Sequence, residues 1–203
     1  DPALDAERAT GKSTKAEIEK GLANSASAAG PNDVVCIVLI GHGTWDGKIA
    51  KFNLPGPDMT AADFAAALKG FATKNIAFVN TTRASGPFIE ALAADGRVIV
   101  TATRSGAEKF ATLFGGHFID ALASDEADAD KNKRVSILEA FKAAKIDVAR
   151  MYGQRGVMLT GRAMLEDGGD GEGSLEPEPE GKDGRIASIL SLGIPTEALK
   201  LPD

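Results

Sequence analysis

Three short apolar runs, each followed by a polar turn, constrain the fold of this chain more than any other feature. The first run, DVVCIVLIG at residues 33–41, is rich in β-branched residues. The runs IAFVN (76–80) and RVIVTAT (97–103) follow it. Continuous apolar runs of this kind are typical of strands that are covered on both faces, as in a parallel sheet. We therefore predict three buried strands.

Segments with helical spacing alternate with these strands. The predicted helices are residues 14–29, 60–72, 87–94, 107–124 and 137–151. Thr60 and Asp63 form a plausible capping pair, and Asp46-Gly47 is a hairpin turn signal. Alternating strands and helices predict an α/β fold, a three-layer α-β-α sandwich with a mostly parallel sheet.

A sheet of this kind usually has an earlier strand, and no strand pattern precedes residue 33. We therefore expect Asp1 to be an internal start, with the first strand absent from this chain. We expect an N-terminal helical segment at 1–30 and an α/β core at 31–165. An acidic Gly/Pro-rich loop and a C-terminal segment at 166–203 complete the expected organisation.

The charge of the chain is concentrated in one segment. The net charge is −6, and residues 166–183 contain eight acids and one lysine. We expect this segment to be a solvated loop. The remainder has no basic stripe for nucleic acid and no apolar run near the roughly 20 residues that a membrane span needs. The single cysteine excludes an intramolecular disulfide and a cysteine-based zinc site.

Binding sites in parallel sheets form at the carboxyl ends of the strands. The three predicted strands end in GHGT, NTTRASG and TRSG, so these turns contain the candidate functional residues. They include a histidine, two arginines and several hydroxyl side chains. A nucleotide-binding domain is one possible function class. None of the turns has the GxGxxG or Walker pattern of such a domain, so this class is the most distant of the three that we consider.

The order VLIGHGTWDG, LPGPDMTAADFAAAL, IAFVNTTRASGPFIEAL resembles the caspase/legumain-like (clan CD) cysteine peptidases, over about residues 34–144. In that family, a His-Gly and an Ala-Cys-x-Ser-Gly at neighbouring strand ends form a catalytic dyad. His42 matches the family's histidine, and Ser85 and Gly86 match the Ser-Gly. The resemblance therefore places Arg83 at the position of the nucleophilic cysteine.

This substitution determines the predicted chemistry. A guanidinium group is permanently protonated and does not act as a nucleophile. We therefore predict a caspase-like domain that is inactive as a cysteine peptidase and acts as a binding or regulatory module. Arg83 is also a candidate for binding an anion or a carboxylate of a peptide or protein ligand.

The alternative is an active hydrolase that uses a hydroxyl nucleophile with His42. Ser85, Thr81 and Thr82 are the candidates, although no acidic residue in the motif orients the histidine. Cys36 is excluded because six residues of strand separate it from His42, a distance of roughly 20 Å. Cys36 is predicted to be a small buried hydrophobic residue.

Two residues after the third strand have two interpretations. Arg104 and Glu108 fall near the family's substrate pocket, or they form an ion pair on a helix surface. The second interpretation is the simpler one. His117 lies in an apolar helical pattern and is predicted to be a packed or surface residue.

Residues 128–139, DADKNKRVSILE, resemble the twelve-residue EF-hand calcium loop. The predicted ligands are the side chains of Asp128, Asp130, Asn132, Ser136 and Glu139 and the backbone carbonyl of Arg134. Val135 would anchor the loop to the core. Lys133 departs from the pattern, because the sharp turn at this position prefers glycine. We therefore predict calcium binding that is weakened and not abolished.

The same residues have a purely structural alternative, since Ser136 and Glu139 alone make a helix capping box. Further along, LEDGGDGEG at residues 165–173 resembles a degraded second calcium loop, or else a flexible acidic turn. Calcium is the one cofactor that we expect, with no organic cofactor. The calcium loop favours a periplasmic or secreted location.

Overall fold

The computed structural model describes residues 9–108, 113–156 and 162–192. The helices are α1 Lys15–Ala28, α2 Ala61–Leu68, α3 Phe88–Leu92, α4 Phe114–Leu122 and α5 Ile137–Arg155. The strands are β1 Val35–Leu39, β2 Gly43–Trp45, β3 Ala50–Phe52, β4 Met59–Thr60, β5 Ile76–Asn80, β6 Arg97–Thr101 and β7 Met164–Glu166. None of the helices in these ranges has the length and apolar character that crossing a bilayer requires.

The central sheet has the strand order β1-β5-β6-β7. Strands β1, β5 and β6 are parallel, and β7 pairs with β6 in the antiparallel direction. Strands β2, β3 and β4 form a separate antiparallel sheet, and the predicted Asp46-Gly47 turn joins the first two of them. The predicted α/β class and the mainly parallel sheet are confirmed.

Helices cover the central sheet on both faces, which gives three layers. Ala77 and Val79 of β5 pack in a core cluster with α4 and α5, whereas Ile76 and Phe78 face a cluster that contains α2 and α3. All five residues of β5 are buried. A strand without a solvated face explains why IAFVN lacks a polar alternation.

Strand β1 differs from its prediction. It pairs only with β5 in the described part of the chain, and four of its five residues are half-buried. The apolar run DVVCIVLIG predicted a strand covered on both faces, but β1 is an edge strand of the described sheet and is covered only in part. An apolar run indicates that a strand contacts the helical layers on its two faces. It does not indicate how many neighbouring strands that strand pairs with.

The α-helices in the described residues correspond to the five predicted helices but differ in their ends. Thr60 and Asp63 form the predicted capping box at the start of α2. Helix α4 begins at Phe114, well after the predicted residue 107. The reason is local, because the carboxylate of Glu108 accepts hydrogen bonds from the backbone N–H groups of Arg104 and Ser105 and holds a turn there.

The acidic segment is not a solvated loop throughout, which corrects the prediction. Glu166, Asp167 and Asp183 are buried. Ala187 and Leu190, further along the chain, belong to the core cluster around α5. The composition of residues 166–183 describes the average of the segment, whereas the structure buries some of its acids and exposes others.

Candidate active site at the strand ends

The parallel register places the two candidate catalytic positions side by side. Leu39 at the end of β1 lies opposite Asn80 at the end of β5. The N–H of Thr81 donates to the carbonyl of Leu39 at 3.1 Å, so the pairing continues beyond the strands. His42 and Arg83 each follow three residues after this matched pair, and they therefore lie at the same edge of the sheet.

A direct contact joins the two turns. The Nε of Arg83 donates to the backbone carbonyl of Gly43, next to His42, at 3.0 Å. Both His42 and Arg83 line a depression of about 490 Å³. Its other lining residues are Ile40, Gly41, Thr81, Gly115, Gly116, Ile119 and Asp120, the last four of which come from α4. The structure thus brings the predicted pair together on one side of the sheet.

The turn after β5 is sharp and strained. Ala84 has a φ of 58°, a left-handed conformation that is uncommon for a residue with a Cβ. Strained residues of this kind cluster at functional sites. Gly43 packs against the same turn so closely that a Cβ there would overlap the carbonyl of Arg83. Glycine after His42 is therefore required by the contact between the two strand ends.

Ser85 does not line this depression. Its side chain is fully buried, and its Oγ accepts hydrogen bonds from the N–H groups of Ala102 and Thr103 at 3.1 and 3.2 Å. It also shares a hydrogen bond with the Thr103 hydroxyl at 3.1 Å. Gly86 packs directly on the backbone of Arg104, where a Cβ would overlap. The Ser-Gly pair therefore holds the turn at the end of β6 through hydrogen bonds and close packing.

The two threonines differ in position. Thr82 is almost fully buried, and its Oγ1 donates to the Oδ1 of Asn80 at 2.8 Å. Thr81 lines the depression, and its Oγ1 donates to the carbonyl of Leu39 at 2.7 Å. Thr81 is thus the one predicted hydroxyl nucleophile that faces the same space as His42.

His42 and Cys36 differ in their exposure to solvent. His42 is exposed, and its side chain has no hydrogen-bond or ion-pair partner among the described residues. Cys36 lies within β1, half-buried and packed against the core. Burial raises the pKa of the Cys36 thiol to about 11, so this thiol is protonated at neutral pH.

A smaller depression of about 160 Å³ adjoins the other side of Arg83 and includes Trp45 and Glu108. The Glu108 carboxylate accepts hydrogen bonds from the backbone N–H groups of Arg104, Ser105 and Arg162, the last at 3.1 Å. Its side chain makes no salt bridge with Arg104 in the described ranges, so the expected surface ion pair is wrong. Arg104 itself is exposed and lines neither depression.

The sequence analysis missed three contributors to the site. These are the Trp45 ring, the first turn of α4 with Gly115 and Gly116, and Gly106, on which the Trp45 ring lies. The Gly-Gly pair inside an apolar helical pattern was the available signal, because glycine in a helix often marks a close approach. His117, in the same helix, is half-buried and lines neither depression.

The second candidate site is the loop Asp128–Glu139. One carboxylate oxygen each from Asp128, Asp130 and Glu139 lies within 4.8 Å of the others. Asn132 lies among them, since its N–H donates to Asp128 and Asp130 at 3.1 and 2.9 Å. Val135 packs against the core, as the loop pattern predicts.

The loop has the backbone conformation that its pattern requires in spite of its lysines. Lys133 has a φ of 69°, and Lys131 has a φ of 60°. A residue with a Cβ in this region costs roughly 1–2 kcal/mol relative to the right-handed conformation. The lysine at the usual glycine position has therefore not changed the path of the chain.

Glu139 has two structural roles in this loop. With Ser136 it forms a capping box at the start of α5, and its Oε1 accepts from the N–H groups of Ala129 and Asp130. Burial alone would raise its pKa, but the hydrogen bonds from Ser136, Asp130 and Ala129 outweigh burial and lower the pKa below its ordinary value. Both carboxylate oxygens of Glu139 therefore accept hydrogen bonds from backbone N–H groups, and Oε2 also accepts one from the Ser136 hydroxyl.

Comparison with known proteins identifies the family. Residues 10–165 match the family model described as the Peptidase C13 family. This chain belongs to the Peptidase C13 family. The match includes both strand-end turns and the Asp128–Glu139 loop, and it ends before the buried acids at Asp167 and Asp183.

The crystal structure of protein GSU0716 from Geobacter sulfurreducens is similar in fold. It matches with a TM-score of 0.50 at 13% sequence identity, over 76% of this chain and 73% of that chain. A likeness at this identity concerns the fold alone. No curated protein sequence matches the chain.

Proposed function

We propose that this Peptidase C13 domain has lost cysteine-peptidase chemistry and binds a peptide or protein ligand through a carboxylate at the strand ends. The observation that carries the proposal is Arg83, which stands in the strained turn beside His42 where the family resemblance expects the cysteine. A permanently protonated guanidinium has no lone pair with which to attack a carbonyl.

The neighbouring hydroxyl groups offer poor replacements. The Ser85 Oγ is buried and occupied by two backbone N–H groups. Thr81 faces the depression, but its hydroxyl proton is engaged with the Leu39 carbonyl, and no acid orients His42 in the described ranges. A threonine–histidine hydrolase is therefore the second candidate, supported only by the shared lining of Thr81 and His42.

The lining of the depression favours a carboxylate on a peptide. Arg83 places a permanent positive charge in the lining, and among the described residues no side chain caps the start of α4. Ile40 is 72% exposed and Ile119 is 39% exposed, so the same depression offers apolar contact. Asp120 gives it a mixed charge, which suits a peptide with its own N–H groups better than a small anion.

This proposal is tested by fluorescence anisotropy with matched labelled peptides. The two peptides differ only in one glutamate that is replaced by glutamine. We expect the glutamate peptide to bind more tightly, and Arg83→Ala to weaken it by about tenfold or more, since a hydrogen bond to a charged group contributes about 1.5–3 kcal/mol. Arg104→Ala is the matched control, because this exposed arginine lines neither depression. Equal affinity of the glutamate peptide for Arg83→Ala and for the unaltered protein would overturn the carboxylate assignment.

We also propose that the Asp128–Glu139 loop binds calcium as a structural ion. Asp128, Asp130, Asn132, Ser136 and Glu139, with the carbonyl of Arg134, are the proposed ligands. The convergence of three carboxylate oxygens supports this assignment. Extracellular calcium modules bind at about 10⁻⁴–10⁻³ M, and a loop with a lysine at its turn suits that range, so we propose a periplasmic or secreted location.

Isothermal titration with calcium chloride tests this second proposal. Glu139→Gln should weaken calcium binding by about 10- to 100-fold or more. Substitutions of residues that only orient metal ligands already have effects of that size, and Glu139 is a proposed ligand itself. Glu126→Gln is the matched control, since Glu126 is an exposed acid just before the loop. Unchanged calcium binding in Glu139→Gln would refute the loop as the site.

A further inference from the structure

A cavity of about 230 Å³ lies beyond the end of β6. Its lining comes from the residue after β6, from the starts of α4 and β7, from α5 and from residues 175–176. None of its lining residues also lines the depression that contains His42 and Arg83. The carboxyl ends of parallel strands are the edge of an α/β sheet where ligands bind. This cavity is therefore a second candidate binding site at that edge.

Two alanines line the cavity on the side of the sheet. Strands β6 and β7 pair in the antiparallel direction, with Thr101 opposite Met164. The same register places Ala102 opposite Ala163, one pair further along, and both alanines are buried. Because each alanine contributes only a methyl group, side chains from the end of the sheet leave this space open.

The helices supply the larger apolar side chains of the cavity. Lys145, Val148 and Tyr152 line it from one face of α5, since they are three and four residues apart. Phe114, at the start of α4, also lines the cavity and belongs to the same core cluster as Val148. Apolar and aromatic side chains around a concave space, with a few polar groups, are the usual lining of a small-molecule site.

The charged residues of the cavity leave one positive charge in excess. Lys145 and Arg162 contribute two positive charges, and Glu176 contributes one negative charge. The Lys145 ammonium pairs with Glu176 at 2.5 Å. Arg162 is exposed, and its guanidinium group forms no salt bridge within the described ranges. Its backbone N–H donates to the Glu108 carboxylate at 3.1 Å, which fixes the chain at this position.

We infer that this cavity binds a small aromatic carboxylate, with its ring among the apolar side chains and its carboxylate on Arg162. A guanidinium group matches a carboxylate in charge and in planar hydrogen-bond geometry. An apolar cavity of about 150 Å³ is sufficient for benzene, so this larger cavity accommodates a ring with a short carboxylated chain. Phe114 and Tyr152 offer the ring aromatic contacts. The inference concerns a different site and stands independently of the proposed function.

The single tyrosine and the single tryptophan of the chain allow the two sites to be observed separately. Tyr152 lines this cavity, whereas Trp45 lines the smaller depression beside Arg83. The protein is labelled with fluorotyrosine and fluorotryptophan, titrated with sodium phenylpropionate and followed by fluorine NMR. We expect the Tyr152 signal to shift and to reach saturation, both in the unaltered protein and in Arg83→Ala. Absence of a saturable Tyr152 shift, or its loss in Arg83→Ala, overturns the inference.

A neutral analogue tests the role of Arg162. Phenylpropanol has the same ring and chain as phenylpropionate but no charge. We expect the unaltered protein to bind the acid about tenfold or more tightly than the alcohol, and this ratio to fall to about one in Arg162→Ala. Arg150→Ala is the matched control, because Arg150 is an exposed residue of α5 that does not line the cavity. An unchanged ratio in Arg162→Ala overturns the assignment of the carboxylate to this arginine.

A filled cavity tests the position of the ring. Val148→Phe places a larger side chain in the space and should abolish the binding of both compounds. Circular dichroism establishes that the variant is folded, and retained binding in the folded variant overturns the inference. If Val148→Phe does not fold, the Tyr152 shift and the Arg162→Ala ratio decide, since Arg162 is exposed and its substitution leaves the core unchanged.

Discussion

The strand-end turn and the Asp128–Glu139 loop each depart from their pattern at one residue, and the two departures have different consequences. Lys133 stands where the EF-hand pattern prefers glycine, and the backbone has a φ of 69° at this position. Arg83 replaces the cysteine that the resemblance expects, and the turn still brings it beside His42. In both places the chain path survives the substitution.

What differs is the property that was lost. Glycine contributes only conformational freedom, which another residue can adopt at a cost of about 1–2 kcal/mol. A cysteine nucleophile contributes an electron pair, which no guanidinium supplies. A substitution that affects conformation weakens a site by degrees, whereas one that removes the reacting atom changes the kind of site.

The largest expected effect concerns position 83. Arg83→Cys should place a thiol in the depression, where iodoacetamide labels it at pH 7, while Cys36 stays nearly unlabelled. A thiol of ordinary pKa is a few per cent ionised at this pH, and burial raises the pKa of Cys36 to about 11. The rates should therefore differ by about 100-fold or more.

Mass spectrometry with peptide mapping measures both rates in the same sample. Raising the pH towards 11 should increase the labelling of Cys36, because its thiolate forms only as the pH approaches that pKa. The denatured variant, in which both thiols are exposed, is the control. Labelling at position 83 as slow as the labelling expected of Cys36 would show that position 83 is not open to the depression.

The next effect concerns stability at the same turn. Ser85→Ala should lower the free energy of unfolding by about 1–3 kcal/mol, since it leaves two buried N–H groups without an acceptor. Urea denaturation measures the loss, and Ser105→Ala is the control because Ser105 is exposed. An unchanged free energy of unfolding in Ser85→Ala would argue against the role of Ser85 in holding this turn at the end of β6.

The smallest effect separates strain from charge in the Asp128–Glu139 loop. Lys133→Gly should bind calcium about fivefold more tightly than Lys133→Ala, because both remove the charge and only glycine relieves about 1 kcal/mol of strain. Calorimetry compares the two variants directly. Identical affinities would mean that the lysine acts through its charge and not through the backbone.

The sequence predicted most of the fold because its signals are local. The apolar runs located β1, β5 and β6, and the Thr60–Asp63 pair located the start of α2. The edge position of β1 depends on distant segments, so the sequence did not indicate that β1 would be less buried than β5 and β6. Strand β7 was missed altogether, since three residues give no period.

The candidate sites show the same division. The EF-hand pattern identified the converging acids because its ligands lie within twelve consecutive residues. Glu166 and Asp183 are both buried although they are distant in sequence, and composition predicted only an acidic loop. Ser85 matched the family pattern, but its burial follows from contact with the end of β6.

The central claim, that the Arg83–His42 depression binds a peptide carboxylate without cleaving it, has one direct test. The glutamate peptide is incubated with the protein, its bound fraction is followed by anisotropy, and its mass is then measured. We predict that the peptide binds to the unaltered protein, binds much more weakly to Arg83→Ala, and is recovered intact. Cleavage fragments that disappear in His42→Ala or Thr81→Ala would contradict the account.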